Sequence, residues 1–552
     1  MMRSSKSFFN KAVLAKDMTR FMPVWLIFAI MTVLNLSDLG VVLYGEGMYS
    51  MSYAFSSGVS FNFLFALITA SCLFGDLSNR RLCNAVHTLP VRRETWFATH
   101  LLAGFLFWIG PIVLKTLTYV LTLGELWYIG LLWLGAMIVQ YLFFLSLAAL
   151  CAVCTGTKVG LTAMYLLINF GSWLVYALLS SYYQPLMPGV RIPDGWAFFL
   201  CPLASLMDGE YIIIDGVRQG LDYEYVFEGL GTAWWYVLGL FVLTVGLVAL
   251  GIFAYRKRKL ENAGEFVVFR CLKPVIWVLM TLTIGLVFQG IGLLSGTVTV
   301  FLLIGLTVGG MFAEMLVMKT GKAALKGLAK GGILAAIVGV SLFVVSLDPF
   351  GVVRWVPEVD QVESVTIADY FYHEEDSEYL HSQILKNPKD IQAVVDAHKI
   401  LTEVGQSDYS LDWSEFEYGE IYIRYRMKDG SVVVRRYYYE ENPEVNKALN
   451  PLWNRPGFVL EYEDWDTFLK ENQEITVSCM SGDYTLAPHQ SAELLKTIKA
   501  DCDEGTWDRS GLWENYGYCH ISLNDGGWVE VSAGCKNTVQ WFHENLPQVF
   551  ED

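Results

Sequence analysis

Residues 80–94 read RRLCNAVHTLPVRRE, placing Arg80, Arg81, Arg92 and Arg93 between apolar runs at roughly 58–75 and 98–123. An arginine at the middle of a bilayer costs about 2.5–3.5 kcal/mol on insertion scales, so this stretch is read as a loop joining two membrane helices. The side on which that loop lies fixes the threading of the whole chain, because lysine and arginine accumulate in short cytoplasmic loops.

Working outward, the bulk composition agrees with a membrane protein. The chain has 552 residues, 54% hydrophobic and 17% charged, with a mean hydropathy of +0.39, too apolar for an ordinary soluble protein. Apolar runs of adequate length occur at roughly 21–43, 58–75, 98–123, 128–153, 160–180, 232–255, 274–294, 297–317 and 331–348. About nine transmembrane helices are therefore expected over 21–348, with only a turn near Ser295-Gly296 separating the seventh from the eighth. The first run, Phe21 to about Tyr44, is span-length and is followed by no small-x-small cleavage site, so it is read as a retained helix.

Charge decides the orientation. With a cytoplasmic N-terminus, the inside segments hold Arg3, Lys6, Lys11, Lys16 and Arg20, then the four arginines of 80–93, then Lys158, then RKRK at 256–259 with Arg270 and Lys273, then Lys319, Lys322, Lys326 and Lys330. These are 20 cations, against two, Arg191 and Arg218, in the outside loops. Removing one span would invert every later loop and destroy the bias. Residues 1–348 carry 23 Lys/Arg against 17 Asp/Glu, whereas 349–552 carry 16 against 38. The acidic C-terminal part thus falls outside, and its charge excludes nucleic acid as a partner, since phosphate binding needs a basic surface.

At the N-terminus, Phe8, Phe9, Val13, Met18 and Phe21 recur among Lys11, Lys16 and Arg20, so 1–20 is expected to be an amphipathic helix in the membrane interface, or else a loose tail. The outside loop from Ser181 to Gly231, rich in turn formers and aromatics at SYYQPLMPGVRIPDGW (181–196), is expected to fold onto the membrane surface. Beyond Asp348 the pattern becomes soluble α+β. EIYIRYRMKDGSVVVRRYYY (420–439) alternates about Asp429-Gly430 and YGYCHISLNDGGWVEVSA (516–533) about Asp525-Gly526, both hairpin signals. Pro388 and Pro488 each open a helical pattern before a hairpin, and VESVTIA (362–368) and EITVSCM (474–480) read as strands ahead of those helices. Strand, helix and hairpin thus recur in that order, which suggests a duplicated module over 349–552, with chance similarity as the alternative. Cys479, Cys502, Cys519 and Cys535 could form two disulfides there, and spacing does not say whether they do.

No energy source is encoded. KTGKAALKG (319–327) has the lysines of a phosphate-binding loop without its first glycine or its hydroxyl, so the chain is not expected to hydrolyse ATP. SCLFGDLSNRRLCNAVHTLPVRRETWFATH (71–100), with Leu89, Pro90, Val91 and Arg93 matching a Leu-Pro-(Val/Ile)-x-Arg element, resembles the loop between the second and third spans of bacterial ABC-type export permeases of the type-2 superfamily. The basic helix before the first span and YRKRKLENAGEFVVF (255–269) extend the resemblance over residues 5–270. It implies a transport subunit driven by a separate ABC ATPase, which supplies the ATP, and a second permease chain, self or sister. Asp76, Arg80, Arg81, Leu89, Pro90, Arg92, Arg93 and Glu94 then form the ATPase-coupling loop, as a short amphipathic helix ended by Pro90 with arginines for carboxylates on the partner. The alternative is that these arginines set topology alone.

Within the spans, Lys115 and Glu314 could line a substrate path, or snorkel and pair structurally. FYHEEDSEYLHSQ (371–383) gathers His373, Glu374, Glu375, Asp376 and His381, a metal-like composition that is more usually a solvated loop. No catalytic or zinc-type spacing stands out in the acidic part, and Tyr437, Tyr438, Tyr439, Trp528 and Trp541 read as packing aromatics. The expectation is a multi-pass protein of a bacterial plasma membrane with an extracytoplasmic α+β domain, and no cofactor of its own. The rival is a membrane sensor whose outer domain binds a peptide or cation and signals to a cytoplasmic partner.

Overall fold

The computed structural model describes residues 9–33, 58–122, 127–193, 195–207, 216–219, 224–227, 233–293, 297–369, 383–405, 418–440, 443–454, 475–479, 482–504, 519–522, 528–531 and 535–550. The chain divides into two compact units, one of Met1–Leu178 with Pro193–Gly339 and one of Leu179–Ile192 with Val340–Asp552.

The first unit is helical. Helix α1 (Lys11–Arg20) is capped by the Asn10 side chain, which accepts from Ala12 N and Val13 N, satisfying amides that otherwise have no partner. There follow α2 (Met22–Val33), α3 (Val59–Leu73), α4 (Arg80–His87), α5 (Arg93–Thr122), α6 (Trp127–Cys154) and α7 (Lys158–Leu178). Two short helices come next, α8 (Gly195–Leu200) and α9 (Pro202–Met207), with the antiparallel pair β1 (Gly216–Gln219) and β2 (Glu224–Phe227). The unit closes with α10 (Ala233–Lys257), α11 (Leu272–Leu293), α12 (Val298–Met318) and α13 (Ala324–Ser346), of which the residues from Val340 on are counted with the second unit. Among the described residues, seven helices are long and apolar enough to cross a membrane, and Met22–Thr32 and Val59–Leu73 are shorter apolar helices. The described parts of the nine apolar runs fall on these nine helices, and among the described residues seven of the nine expected crossings are long enough to span. Outward-facing Leu114, Leu117, Val242, Leu243, Ile333, Ile337 and Phe343 are exposed, a pattern of apolar surface that suits a lipid rather than a water boundary.

A chain of buried polar side chains links three helices inside this apolar bundle. Trp108 Nε1 donates to Asn62 Oδ1 (2.9 Å) and Asn62 Nδ2 to Gln140 Oε1 (3.3 Å), joining α5, α3 and α6. Where α12 meets α13, side chains are dispensed with: Gly310 on α12 faces Gly327 and Gly331 on α13, while Gly305 and Gly309 face Gly285, Phe288, Thr281 and Ile284 on α11. A Cβ at Gly310 would come within 2.5 Å of Gly331 Cα, and one at Gly331 within 2.6 Å of the Thr307 carbonyl. Small residues let the two backbones approach, which in lipid replaces the hydrophobic effect as the source of helix attraction.

The second unit contains the same topology twice. The first sheet comprises β3 (Val362–Asp369), β4 (Gln383–Leu385), β5 (Tyr418–Met427) and β6 (Val432–Glu440), in the order β4-β3-β5-β6; α14 (Pro388–Val404) lies between β4 and β5, and α15 (Pro443–Trp453) follows β6. The second comprises β7 (Thr476–Cys479), β8 (Gly482–Thr485), β9 (Cys519–Ser522) and β10 (Trp528–Glu530), in the order β8-β7-β9-β10, with α16 (Pro488–Glu504) and α17 (Lys536–Asn545) in the corresponding places. All pairings are antiparallel. The repeat is therefore β-β-α-β-β-α, longer than the strand–helix–hairpin pattern readable in the sequence. The second strand of each repeat has only three or four residues, too few to display alternation. The 418–440 hairpin turns through Lys428, Asp429 and Gly430, with Gly430 at φ +85° and Asp429 Oδ1 accepting from Ser431 N (2.8 Å); a left-handed residue in this position suits a three-residue loop.

Each repeat has its own core, Val365, Ile367, Val394, Leu401, Ile423 and Tyr437 in the first and Ile475, Val477, Leu494, Ile498, Ile521 and Phe542 in the second. His398 is fully buried in the first, its Nδ1 3.1 Å from Tyr425 Oη and its Nε2 3.0 Å from Tyr437 Oη. Burial, reinforced by the Arg435 charge, pushes its pKa down to about 3, so the neutral ring donates to one phenol and accepts from the other. In the second repeat, buried Asp501 accepts from Asn537 N, Thr538 N and Thr538 Oγ1, capping α17 from a neighbouring helix. Cys502 and Cys535 are buried free thiols. Cys479 and Cys519 are opposite in register, and their side chains lie outside what is described. The acidic segment of the metal-like composition, including His373, Glu374, Glu375, Asp376 and His381, also lies outside the described residues, as do the Asp525-Gly526 turn, the Ser295-Gly296 turn and the side chains of Tyr439 and Trp528. Tyr438 and Trp541 are buried. Among the described residues no group of three His, Cys, Asp or Glu could hold a metal.

Candidate functional site

The site is built around α4. Asn79 opens this helix, its side chain accepting from Arg81 N (3.0 Å) and Leu82 N (3.4 Å), and the helix ends at Thr88, before Leu89-Pro90 removes a donor. Its inner side carries Cys83, fully buried, with Val86 and His87 half-buried. Its outer side carries Arg81, Leu82 and Ala85, and the exposed surface continues through Leu89, Pro90 and Arg92; Leu82 and Leu89 are 42% and 47% exposed.

Three polar contacts hold the inner side. Arg80 Nε donates to the Ala263 carbonyl (2.9 Å). His87 Nδ1 lies 2.7 Å from the Cys83 carbonyl, so Nδ1 carries the hydrogen and Nε2 accepts from Tyr255 Oη (3.2 Å). Burial lowers the His87 pKa, opposed by the Cys83 carbonyl bond, and the same burial raises the Cys83 thiol.

Beneath α4, two arginines close the ends of two long helices. Arg258, 2% exposed, donates through Nη1 to the carbonyls of Ala152 (2.9 Å), Val153 (2.6 Å) and Thr155 (2.7 Å) and through Nη2 to Leu77 (2.9 Å). Arg93 Nη1 donates to the carbonyls of Tyr255 (3.2 Å), Arg256 (3.4 Å) and Arg258 (2.8 Å). These are the unsatisfied last-turn carbonyls of α6 and α10 and the residues just past them, where the helix dipole favours a cation. Burial lowers the Arg258 pKa from its ordinary value. The backbone is knitted alongside: Gly156 N to Glu265 O (2.8 Å), Gly264 N to Gly156 O (2.7 Å) and Val268 N to Cys154 O (2.9 Å). Lys319 Nζ reaches the Gly264 carbonyl (2.7 Å), Arg20 lies 3.7 Å from Asp76, and Arg256 Nε pairs with Glu94 Oε1 (2.7 Å). The cation-rich segments near residues 20, 80–93, 156–158, 256–265 and 319 thus meet in one polar layer.

Of the residues singled out in the loop, the structure turns Arg80 and Arg93 inward onto carbonyls, ties Asp76 and Glu94 to arginines of the same chain, and leaves Arg81, Leu89, Pro90 and Arg92 at the surface. Sequence reasoning missed Arg258, which stands indistinguishable within the RKRKL run, although a cation just past a helix C-terminus is a known capping signal. It also missed Asp17 and His100, buried partners at 2.7 Å that fasten α1 to α5, together with Asn10 N donating to Thr99 Oγ1 (3.1 Å). A lone aspartate in a basic amphipathic helix was the available signal.

A groove of about 550 Å³ opens between α4, the first turn of α5 and the end of α10, with Val91, Arg92, Glu94, Trp96, Tyr255 and Arg256 among its walls. Elsewhere in the spans, Glu314 is buried on α12, each of its oxygens 2.9 Å from Lys330 Nζ on α13; this is a structural ion pair between neighbouring helices. Lys115 is buried on α5. No protein-family model, no curated protein and no solved structure matches the chain.

Proposed function

We propose that the chain is the membrane-spanning subunit of an ATP-driven transporter of the ABC export-permease type, with α4 as the element that receives force from a separate ATPase. The observation that carries this reading is the two-sidedness of α4. Its inner side is fixed through Arg80 and His87, over the Arg93 and Arg258 layer, to the ends of α6 and α10 and the start of α5. Its outer side leaves Arg81 and Leu82 exposed, with Leu89 just beyond. A push on such an element moves three long helices as one body, and an exposed guanidinium between apolar neighbours suits a carboxylate on a partner. The chain has no phosphate-binding loop, so ATP acts through that partner.

In this reading the cation-rich layer is cytoplasmic, as is the N-terminus, and the C-terminal repeats are extracytoplasmic in a bacterial plasma membrane. The convergence of the cation-rich segments on one layer supports a threading that leaves them on one side. The two shorter apolar helices bring the crossings to nine. One chain supplies about half of a complete exporter, so it pairs with a second permease chain, self or sister. Closure of the ATPase dimer turns the 76–96 element and tilts the spans, alternating access to a path between the two permeases. The rival reading, a sensor, is favoured by the tandem β-β-α-β-β-α repeats, an ordered receptor-sized region that transport itself does not require.

The test is copurification of the full-length chain with its ATPase and reconstitution in lipid, comparing wild type with Arg81→Glu/Leu82→Glu. Stimulated ATP hydrolysis is expected to fall at least tenfold, with the ATPase released from the complex. Retention of full stimulation by the double variant refutes the coupling role, and a chain that carries no ATPase but binds a peptide or cation favours the sensor.

A further inference from the structure

We propose that the groove between the start of α5 and the end of α10 is a binding site for the phosphate headgroup of an anionic membrane phospholipid. The inference needs α5 and α10 to cross a membrane and does not depend on the transport reading. Charge is the first ground. Arg92, Arg93 and Arg256 line the groove against a single carboxylate, Glu94, which already engages Arg256 Nε. Behind them Arg258 is solvated by four carbonyl bonds, and Arg93 by three. Among the described residues neither has a carboxylate within ion-pair distance, so the wall keeps a positive excess that a phosphate diester would offset.

Depth is the second ground, and it favours a lipid over an acidic peptide. Along α5, Arg93 and Glu94 are followed by Trp96, Phe97 and a long apolar run; along α10, the apolar run ends at Tyr255 and gives way to Arg256 and Lys257. Both helices therefore pass from apolar to charged at the level of the groove, with an aromatic at each boundary, as at a headgroup layer. Just below, Leu250 and Phe253 on α10 are 50% and 58% exposed and present apolar surface on which an acyl chain can lie. Basic pockets between membrane helices are a recurrent form of anionic headgroup site, and a volume of about 550 Å³ is within the range of small-ligand pockets.

The test uses the full-length chain in phosphatidylcholine nanodiscs containing a minor fraction of phosphatidylglycerol, with bound lipid read by native mass spectrometry. Wild type is expected to retain phosphatidylglycerol selectively. Arg92→Gln/Arg256→Gln is expected to weaken retention about thirtyfold, each of the two cations contributing roughly fivefold. Lys322→Gln/Lys326→Gln, which removes two exposed cations elsewhere in the same unit, is expected to leave it unchanged, and Arg92→Lys/Arg256→Lys to keep most of it. Four results overturn the proposal: no preference over phosphatidylcholine, equal loss in the lysine control, displacement by glycerol phosphate at equal concentration, which assigns the groove to a free anion, or displacement by an acidic peptide, which assigns it to a protein.

Discussion

Replacing Arg258 with methionine should unlatch α4. The side chain is 2% exposed, and its four hydrogen bonds reach three carbonyls at the end of α6 and the Leu77 carbonyl ahead of α4. Hydrogen bonds to a charged group are worth about 1.5–3 kcal/mol each, and a buried acceptor left without a partner costs about 1–3 kcal/mol. The four are not additive, since some carbonyls relax towards water, and a net local loss of about 3–4 kcal/mol follows. That raises the population of the detached helix by two to three powers of ten, at about 1.4 kcal/mol per tenfold. Cys83 reports it directly, because its thiol is fully buried under α4. In a Cys271→Ser background, which removes an exposed thiol, maleimide modification of Cys83 followed by peptide mass spectrometry should accelerate at least a hundredfold in the variant. Arg258→Lys should recover only part of the protection, because an ammonium lacks the planar fork that spans both acceptor groups. If the methionine variant protects Cys83 as well as wild type, or lysine restores protection in full, the carbonyl-capping argument is wrong.

Three other perturbations test the rest of the molecule. Gly331→Val should disrupt the α12–α13 crossing and lower stability in detergent by about 2–3 kcal/mol, because its Cβ meets the Thr307 carbonyl at 2.6 Å, whereas Gly332→Ala, with open space around its Cβ, should be near neutral. Lys330→Met should destabilise by about 1–3 kcal/mol by stranding the buried Glu314 carboxylate, and adding Glu314→Leu should recover most of it, an outcome read in the same thermal scan. His398 should make the first repeat acid-sensitive. Its folded pKa is about 3 against about 6.5 unfolded, so in that window the unfolded chain binds the proton and the folded chain does not. Stability is then full above pH 6.5 and falls by up to about 1.4 kcal/mol per pH unit as pH drops towards 3. Hydrogen exchange of peptides from 388–404 and 418–440 in the full chain should show that slope, corrected for intrinsic rates, and His398→Phe should remove it.

The sequence by itself determined the features that neighbouring residues encode. Span-length apolar runs marked the long helices, Asp429-Gly430 marked a turn, and Pro388 and Pro488 marked helix starts. The uneven distribution of lysine and arginine grouped the connecting segments that the structure then gathers into one layer. Each of these is a property of a short window, or of a sum over windows.

Only the tertiary structure decided which member of a repeated pattern does which task. Arg80, Arg81, Arg92 and Arg93 are alike as residues, yet Arg80 and Arg93 reach carbonyls of α10 and the loop after it while Arg81 and Arg92 are exposed, because only one side of α4 and one side of the start of α5 lie against their neighbours. Arg258 is one of four consecutive cations, and it alone finds the end of α6, more than a hundred residues earlier in the chain. Asp17 meets His100, and Gly310 meets Gly331, by the same logic. A hydrogen-bond partner or a close approach across such separations depends on how helices cross, which packing sets and local sequence does not record.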